Sequence, residues 1–265
     1  MPAMVTIPAG VAIVGAHESD GFRNPDETPQ RTITIPKPFE VSKYEVTRGE
    51  YAAFVAATHR PVEGNCLTDR TQRGNWVYDA NTTFRDPGFA QTDHHPVACV
   101  SYDEAIAYIE WLNSRTSGGY RLLTETEWEY VARAGAPAED AYPWGTDSEG
   151  CKFANGFDRT TMASYAGMDT SGYKTFDPMP CSDGWLNTAP VGSLAPNKFG
   201  VYDMIGNMGE WIDACNARDV TSGACAKRVV KGGSWGTLAH NLRVAERVPY
   251  PPGHRDDSVG IRLAR

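Results

Sequence analysis

No apolar run in the 265-residue chain approaches the ~20 residues of a membrane-spanning helix, so no membrane insertion is expected. Positive charge is also in short supply. Lys and Arg total 25 against 33 Asp and Glu, a formal net charge of −8. A general nucleic-acid binder needs a basic footprint to neutralise phosphates, and an anionic membrane surface needs one too; no nucleic-acid partner is expected. The sequence holds no Cys-x-x-Cys pair, which argues against a zinc ribbon and a thioredoxin-type redox motif. Neither an internal repeat nor an evident linker is present. Near Met1 there is no basic region followed by a long apolar stretch. That leaves a cytosolic protein or a mature form whose leader has been removed.

The hydrophobic fraction is 41%, with 7 Trp, 12 Tyr and 9 Phe, enough for a sizeable core. Six cysteines are spread along the chain: Cys66, Cys99, Cys151, Cys181, Cys215 and Cys225. An even, widely spaced set suits three disulfides in an oxidising compartment, or equally six reduced thiols in a cytosolic one.

Three segments open with a capping box, Ser or Thr followed three residues later by Glu. They start at Thr47, Ser101 and Thr124. The first is expected to bury Tyr51, Phe54 and Val55. The second, running to about Arg115, should bury Ala105, Ile109 and Leu112. The third, ending near Gly135, should bury Trp128, Val131 and Ala132. Alternation at Arg31–Ile35 and Phe39–Val41 predicts short strands. Beyond Gly135 turn formers are dense and no helical period persists. With 26 Gly and 18 Pro, most of the chain must be loop or short strand. So loop-rich a domain needs cross-links, either disulfides or bound cations.

Six stretches then follow in order. They are Ile7-Pro8-Ala9-Gly10; Tyr44-Glu45-Val46-Thr47; His95-Pro96-Val97 with Val100-Ser101-Tyr102; Arg121-Leu122 with Thr124 through Tyr130; Pro143-Trp144-Gly145; and a C-terminal series. That series contains Gly200-Val201-Tyr202-Asp203, Gly206-Asn207, Glu210-Trp211, Gly232-Gly233-Ser234-Trp235 and Gly260-Ile261-Arg262. The ordered set resembles the formylglycine-generating enzyme (sulfatase-modifying factor) family nearly end to end. The resemblance implies one domain over residues 1–265, in an α+β fold of the formylglycine-generating-enzyme and C-type-lectin-like kind. Such a fold has little regular structure, a small antiparallel sheet and a few flanking helices.

It also implies two structural calcium sites. By position the first would use Asn155, the carbonyl of Gly156, Asp183 and the carbonyl of Trp185. The second would use Asp203, the carbonyls of Gly206 and Met208, and Glu210. Calcium takes six to eight oxygens, and the 203, 206, 208, 210 spacing can wrap a loop around one ion. The bland alternative is that these side chains cap turns. The resemblance, through exported bacterial members, further implies the pairing Cys66–Cys99, Cys151–Cys181 and Cys215–Cys225, one of fifteen connectivities. Periplasmic or secreted localisation is the corresponding expectation, with a cytoplasmic one not excluded.

The family's copper(I)-binding cysteine pair is missing. Where it follows the Gly-Gly-Ser-aromatic motif, this chain reads Gly236 through Arg243 without cysteine, so no copper is expected and the catalytic residues are unknown. The three-histidine iron site of the related ergothioneine-type sulfoxide synthases has no counterpart either. His94 and His95 are adjacent, and His17, His59, His240 and His254 are isolated. Further departures are Gly209 for the usual Trp, Leu123 for Pro and Ile261 for Phe. The stretch from Asp158 to Pro180, with Tyr165 and Tyr173, reads as a surface loop or a flap.

Trp235, His240, Asn241, Glu246, Tyr250, His254 and Arg255 mix aromatic and charged groups within about twenty residues, which suits a polar ligand. Arg243, Arg247 and Arg262 are expected to be internal ion-pair partners. Two functions result. One is a calcium-stabilised module binding an unknown protein or small polar ligand through this C-terminal face. The other is a noncanonical oxidoreductase of peptide-like substrates, resembling the pyoverdine-maturation members of the family.

Overall fold

Each capping box starts a helix in the computed structural model. The structure describes all residues except 72–73, 146–148, 166, 168, 172–174, 217–219 and 222–223, and only the backbone at 220, 221 and 224. Tyr173 of the proposed flap lies outside the described residues. Before the first helix come β1 (Met4–Ile7), β2 (Gly10–Val14), β3 (Arg31–Ile35) and β4 (Phe39–Ser42). Helix α1 (Arg48–Thr58) is followed by the hairpin strands β5 (Cys66–Thr68) and β6 (Val77–Asp79), then α2 (Tyr102–Arg115) and α3 (Glu125–Arg133). In all three boxes the Ser or Thr oxygen accepts from the backbone of the Glu, whose carboxylate accepts in return. The expected inward residues of all three are buried.

Beyond Gly135 the expectation of no further helix is corrected by α4 (Gly150–Phe153) and α5 (Arg159–Ser164). Both are too short to show a 3.6-residue period. α5 is opened by Asp158, whose Oδ1 accepts from Thr161 N at 2.9 Å, and not by a Ser/Thr–Glu box. The remaining strands are β7 (Gly209–Cys215), β8 (Val220–Thr221), β9 (Ala224–Cys225), β10 (Arg228–Lys231), β11 (Val248–Tyr250) and β12 (Val259–Ile261).

The largest sheet has the order β11-β10-β7-β12. It is antiparallel except at β12, which runs parallel to β7, with Gly260 opposite Glu210. A connection through residues 251–258, and not a tight hairpin, brings β12 to that edge. Two apolar clusters meet along β7. Trp211 and Ile261 pack with α1 and α2, while Ile212 and Val229 pack with Trp128 of α3. Burying Trp128 and Trp211 completely is permitted because each indole N–H finds an acceptor, Glu210 Oε2 at 2.6 Å and the Val100 carbonyl at 2.9 Å.

Three disulfides join Cys66 to Cys99, Cys151 to Cys181 and Cys215 to Cys225, leaving no free cysteine. This is the pairing that the resemblance implies, and it is consistent with an oxidising compartment.

Candidate functional site

Two glycines shape the ground beside β7. Gly232 and Gly233 both have positive φ, 95° and 66°, and a Cβ on Gly233 would lie 2.8 Å from Leu242 Cδ2. This forces the chain to turn in front of the sheet. Ser234 N then donates to Thr237 Oγ1 at 2.9 Å and Thr237 N to Ser234 O at 3.0 Å, closing the turn. Between this turn and the strands lies a cleft of about 140 Å³, whose walls include Gly209, Ser234, Asn241, Glu246 and Tyr250. A larger cavity of about 330 Å³, beside the end of α3, is lined by Trp144, Phe153 and Lys198 among others and shares no lining residue with the cleft.

The cleft gathers Asn241, Glu246 and Tyr250 from the expected ligand face, but not all seven residues. Trp235 is 2% exposed, with its ring edge-to-face against Phe89 at 5.2 Å. It packs in the interior, and is not an open platform. His240 lies on the Phe22 ring at 4.9 Å and pairs through Nδ1 with Asp177, tying the 158–180 stretch to this segment. Arg255 pairs with Glu104 of the α2 capping box at 2.8 Å. His254 is buried, stacked on Tyr250 with centroids 4.0 Å apart, and its Nδ1 is 2.9 Å from the Tyr78 hydroxyl. Tyr78 and the turn residues Ser234 and Thr237 were missed from sequence because nothing local marks a β5–β6 side chain as a neighbour of residue 254.

Glu246 is the titratable group of the cleft wall. Arg243, with 1% side-chain exposure, holds Glu27 through two nitrogens at 2.6 and 3.0 Å, Asp20 at 2.9 Å, and Glu246. Three carboxyls thus share one guanidinium in a nearly dry setting, an excess of negative charge that favours retaining a proton. Burial pushes the Glu246 carboxyl up to about 7, with Arg243 opposing and Glu27 adding to the rise. For Arg243 burial works downward, but the bonds to Glu27 and the surrounding carboxylates outweigh it and hold the guanidinium above its usual range. Arg247 meets Glu125 at 3.0 Å and Arg262 meets Glu210 at 2.6 Å, so all three arginines are internal partners as expected.

Hard-cation chemistry can be tested against buried acceptors. Asn155 Oδ1 and Asp183 Oδ2 are both buried without a hydrogen-bond partner. Burial raises the Asp183 carboxyl to about 7, with Asp158 adding to it, as expected of an acceptor whose counter-charge is not supplied by the protein. This set fits calcium. In the second set Glu210 has both oxygens engaged, by Arg262 and by Trp128. Glu45, Asp203 and Glu210 are nevertheless three buried carboxyls within electrostatic reach of the single Arg262, and Glu45 Oε1 has no partner. A divalent cation would offset that excess, but Glu210 would have to give up its bond to Arg262 or Trp128 to ligate it. Among the described residues no three His, Cys, Asp or Glu side chains gather as a metal centre; most ligands here would be carbonyls. Copper(I) does not fit the cleft: residues 236–243 supply no thiolate and all six cysteines are in disulfides.

A family model described as the sulfatase-modifying factor enzyme 1-like domain matches residues 1–265. The formylglycine-generating enzyme of Thermomonospora curvata is 30% identical, over 98% of this chain and 92% of that protein. Inactive C-alpha-formylglycine-generating enzyme 2 of Bos taurus is also 30% identical, over 98% of this chain and 87% of its own. Among solved structures, PvdO from Pseudomonas aeruginosa superposes with a TM-score of 0.73 at 32% identity, covering 99% of this chain and 93% of that one. Treponema denticola variable protein 1, at 22% identity and a TM-score of 0.66 over 98% of this chain and 94% of its own, shares the fold.

Proposed function

Because the chain belongs to the sulfatase-modifying factor enzyme 1-like family, whose copper-thiolate chemistry its paired cysteines cannot supply, we propose that it is an exported binding domain. Two structural calcium ions would tie its loops together, one held by Asn155, Asp183 and the carbonyls of Gly156 and Trp185. The other would be held by Asp203, Glu210 and the carbonyls of Gly206 and Met208. The ligand, a small polar molecule or a side chain of a partner protein, occupies the cleft behind Ser234. The observation that carries the reading is the cleft itself. It lies directly after the Gly232-Gly233-Ser234 turn, has Gly209 in its wall, and is lined by residues that carry hydroxyl, amide, carboxyl and phenol groups. Polar groups converging in a concave site fix a ligand's orientation without chemistry of their own. That a relative of similar length is named an inactive enzyme agrees with such a use of the frame.

A second reading rests on Glu246. A carboxyl raised to about 7 can donate or accept a proton near neutrality, which suits catalysis on a peptide-like substrate.

One set of measurements addresses both. Metal analysis of the purified protein is expected to give about two calcium per chain and no stoichiometric copper or iron. Amide NMR shifts during titration with a panel of N-acetylated amino-acid amides are expected to concentrate at Ser234, Asn241, Glu246 and Tyr250. Shifts confined to the Trp144 cavity would overturn the cleft assignment. Aldehyde formed in a sulfatase cysteine peptide would overturn the binding reading, and turnover abolished by Glu246→Gln in a folded protein would establish the second.

A further inference from the structure

Tyr250 closes one side of the cleft and presents its ring to a neighbour outside it. His254 lies flat on that ring, 12° from parallel. His254 is buried between two polar partners. Its Nδ1 is 2.9 Å from the Tyr78 hydroxyl, and its Nε2 is 3.4 Å from Asp256 Oδ2. The Asp256 carboxylate is itself oriented, because its other oxygen accepts from Ser258 N at 2.9 Å and from Ser258 Oγ at 2.6 Å. The 3.4 Å contact is an ion-pair approach and not a formed hydrogen bond, so it strengthens when the ring is charged. With Nε2–H on the Asp256 side, Nδ1 is bare and the phenol donates to it. A neighbouring carboxylate that stabilises the imidazolium helps imidazole serve as a base.

Exposure runs along this chain of contacts. Asp256 is 5% exposed and His254 8%, whereas Tyr78 is 55% exposed. Tyr78 is the residue of the three that meets solvent. The hairpin that carries Tyr78 is fixed to the segment carrying the other two: Leu67 N donates to Arg255 O, Asp257 N donates to Leu67 O, and Cys66 is bonded to Cys99. The juxtaposition is therefore built by backbone and a covalent staple.

We propose that Tyr78, His254 and Asp256 form an acid–base relay beside the cleft, on the far side of the Tyr250 ring, acting on a hydroxyl or ammonium group of a ligand that reaches past Tyr250 to Tyr78. In the forward step the ligand's N–H or O–H proton moves to Tyr78 Oη. The phenol's own proton moves to His254 Nδ1, and Asp256 balances the imidazolium. Tyr78 is the group that touches the ligand, and His254 and Asp256 act through it. The other groups facing the ring do not compete. Burial, together with the charge of Asp256, holds the Tyr250 phenol above its usual range, so it stays a neutral ring. Arg255 is paired with Glu104. Asp257, next in the chain, has a carboxyl raised by burial and by Asp256, so it adds little opposing charge. The relay rests on the cleft reading only for its ligand, and its test needs none.

The test is acetylation by N-acetylimidazole, read residue by residue by peptide mass spectrometry. The Tyr78 Oη–acetyl bond forms and the acetyl–imidazole bond breaks; the phenol proton passes to His254 and then, through solvent, to the departing imidazole. At pH 7 Tyr78 is expected to react about tenfold or more faster than free N-acetyltyrosinamide, a threshold set below the roughly 10²–10⁴-fold typical of general-base assistance. His254→Gln is expected to bring Tyr78 to the free-phenol rate, and Asp256→Asn to slow it about threefold or more. A wild-type rate at or below that of the free phenol overturns the relay, because a purely structural Tyr78–His254 bond shields the oxygen. So does an unchanged rate in His254→Gln. The wild-type rate measured against the free phenol keeps the proposal testable if either variant fails to fold.

Discussion

Asn207 is expected to be among the costliest single positions in the protein, although it touches no proposed ligand. Its side chain is fully buried and its φ is 59°, in the left-handed region. Oδ1 accepts from Ala189 N at 2.8 Å and Asn155 Nδ2 at 3.3 Å, and Nδ2 donates to Glu45 Oε2 at 3.0 Å. Asn207→Ala leaves the Ala189 N–H and the Glu45 carboxyl without these partners. Asn155 Nδ2 keeps its bond to the Asn187 carbonyl at 2.9 Å and loses less. Two orphaned buried groups cost about 1–3 kcal/mol each. An alanine Cβ in the left-handed region adds roughly 1 kcal/mol. The sum, about 3–7 kcal/mol, is a large share of the ~5–15 kcal/mol that a domain has in hand.

Asn207→Gly separates the two causes. It loses the same hydrogen bonds but carries no Cβ, so it should recover about 1 kcal/mol relative to alanine. The assay is equilibrium unfolding in guanidinium followed by tryptophan fluorescence, run once with excess calcium and once with chelator. The midpoint should fall in both conditions at unchanged slope. A loss below about 1.5 kcal/mol for alanine, or glycine no better than alanine, would refute the reasoning.

Other outcomes follow from buried charge and from cross-links. Lys231→Met strips the counter-ion from Glu129, 2.8 Å away with both side chains at or below 2% exposure; breaking such a pair costs about 3–5 kcal/mol. Adding Glu129→Gln, which keeps an acceptor for Gly15 N, should restore part of that loss in the same unfolding assay. The Glu246 carboxyl sits at about 7 when folded, above its unfolded value. Its contribution to stability is therefore intact below the unfolded value and lost as pH rises through about 7. Glu246→Gln should flatten the pH dependence of the unfolding midpoint between those limits, and parallel curves for the two proteins would contradict this. Removing Cys151–Cys181 as a double alanine variant should cost about 3.6 kcal/mol, from its 30-residue separation. Cys215–Cys225, closing only 10 residues, should cost about 2.7 kcal/mol, and a reversed order of midpoints would count against the loop-entropy account.

How much of this was legible in the sequence depends on how local the cause is. A capping box needs four consecutive residues, and α1, α2 and α3 begin where Thr47, Ser101 and Thr124 say they should. β3 coincides with the alternating Arg31–Ile35. α4 and α5 were not legible, because four and six residues cannot display a helical period and their stability comes from the Cys151–Cys181 staple and the Asp158 cap. The parallel register of β12 depends on the path of residues 251–258, which no pattern within β12 encodes. At the site, the segment 235–255 is rich in ligand-type residues, but burial sorts them in ways the sequence does not show. Trp235 went inward because Phe89, 146 residues earlier, came to meet it. Glu246 became unusual because the fold buries it and because Glu27, more than 200 residues away, shares its arginine.

The same sorting explains why an end-to-end resemblance fixes the frame and not the activity. The motifs that carry it are largely structural here. Trp128 and Arg262 both bond Glu210, Asn207 spans Glu45 and Ala189, and Gly206 has a left-handed φ of 77° where a Cβ would lie 2.3 Å from the Asn155 carbonyl oxygen. Each of these residues solves the problem of burying polar loop backbone, a problem any function on this frame shares. Chemistry depends on what stands around the Gly233 turn, where thiolates are lacking and carboxyl, phenol and imidazole groups are present. Evidence about function must therefore come from those groups, and the reactivity of Tyr78 reports on them without requiring that the ligand be known.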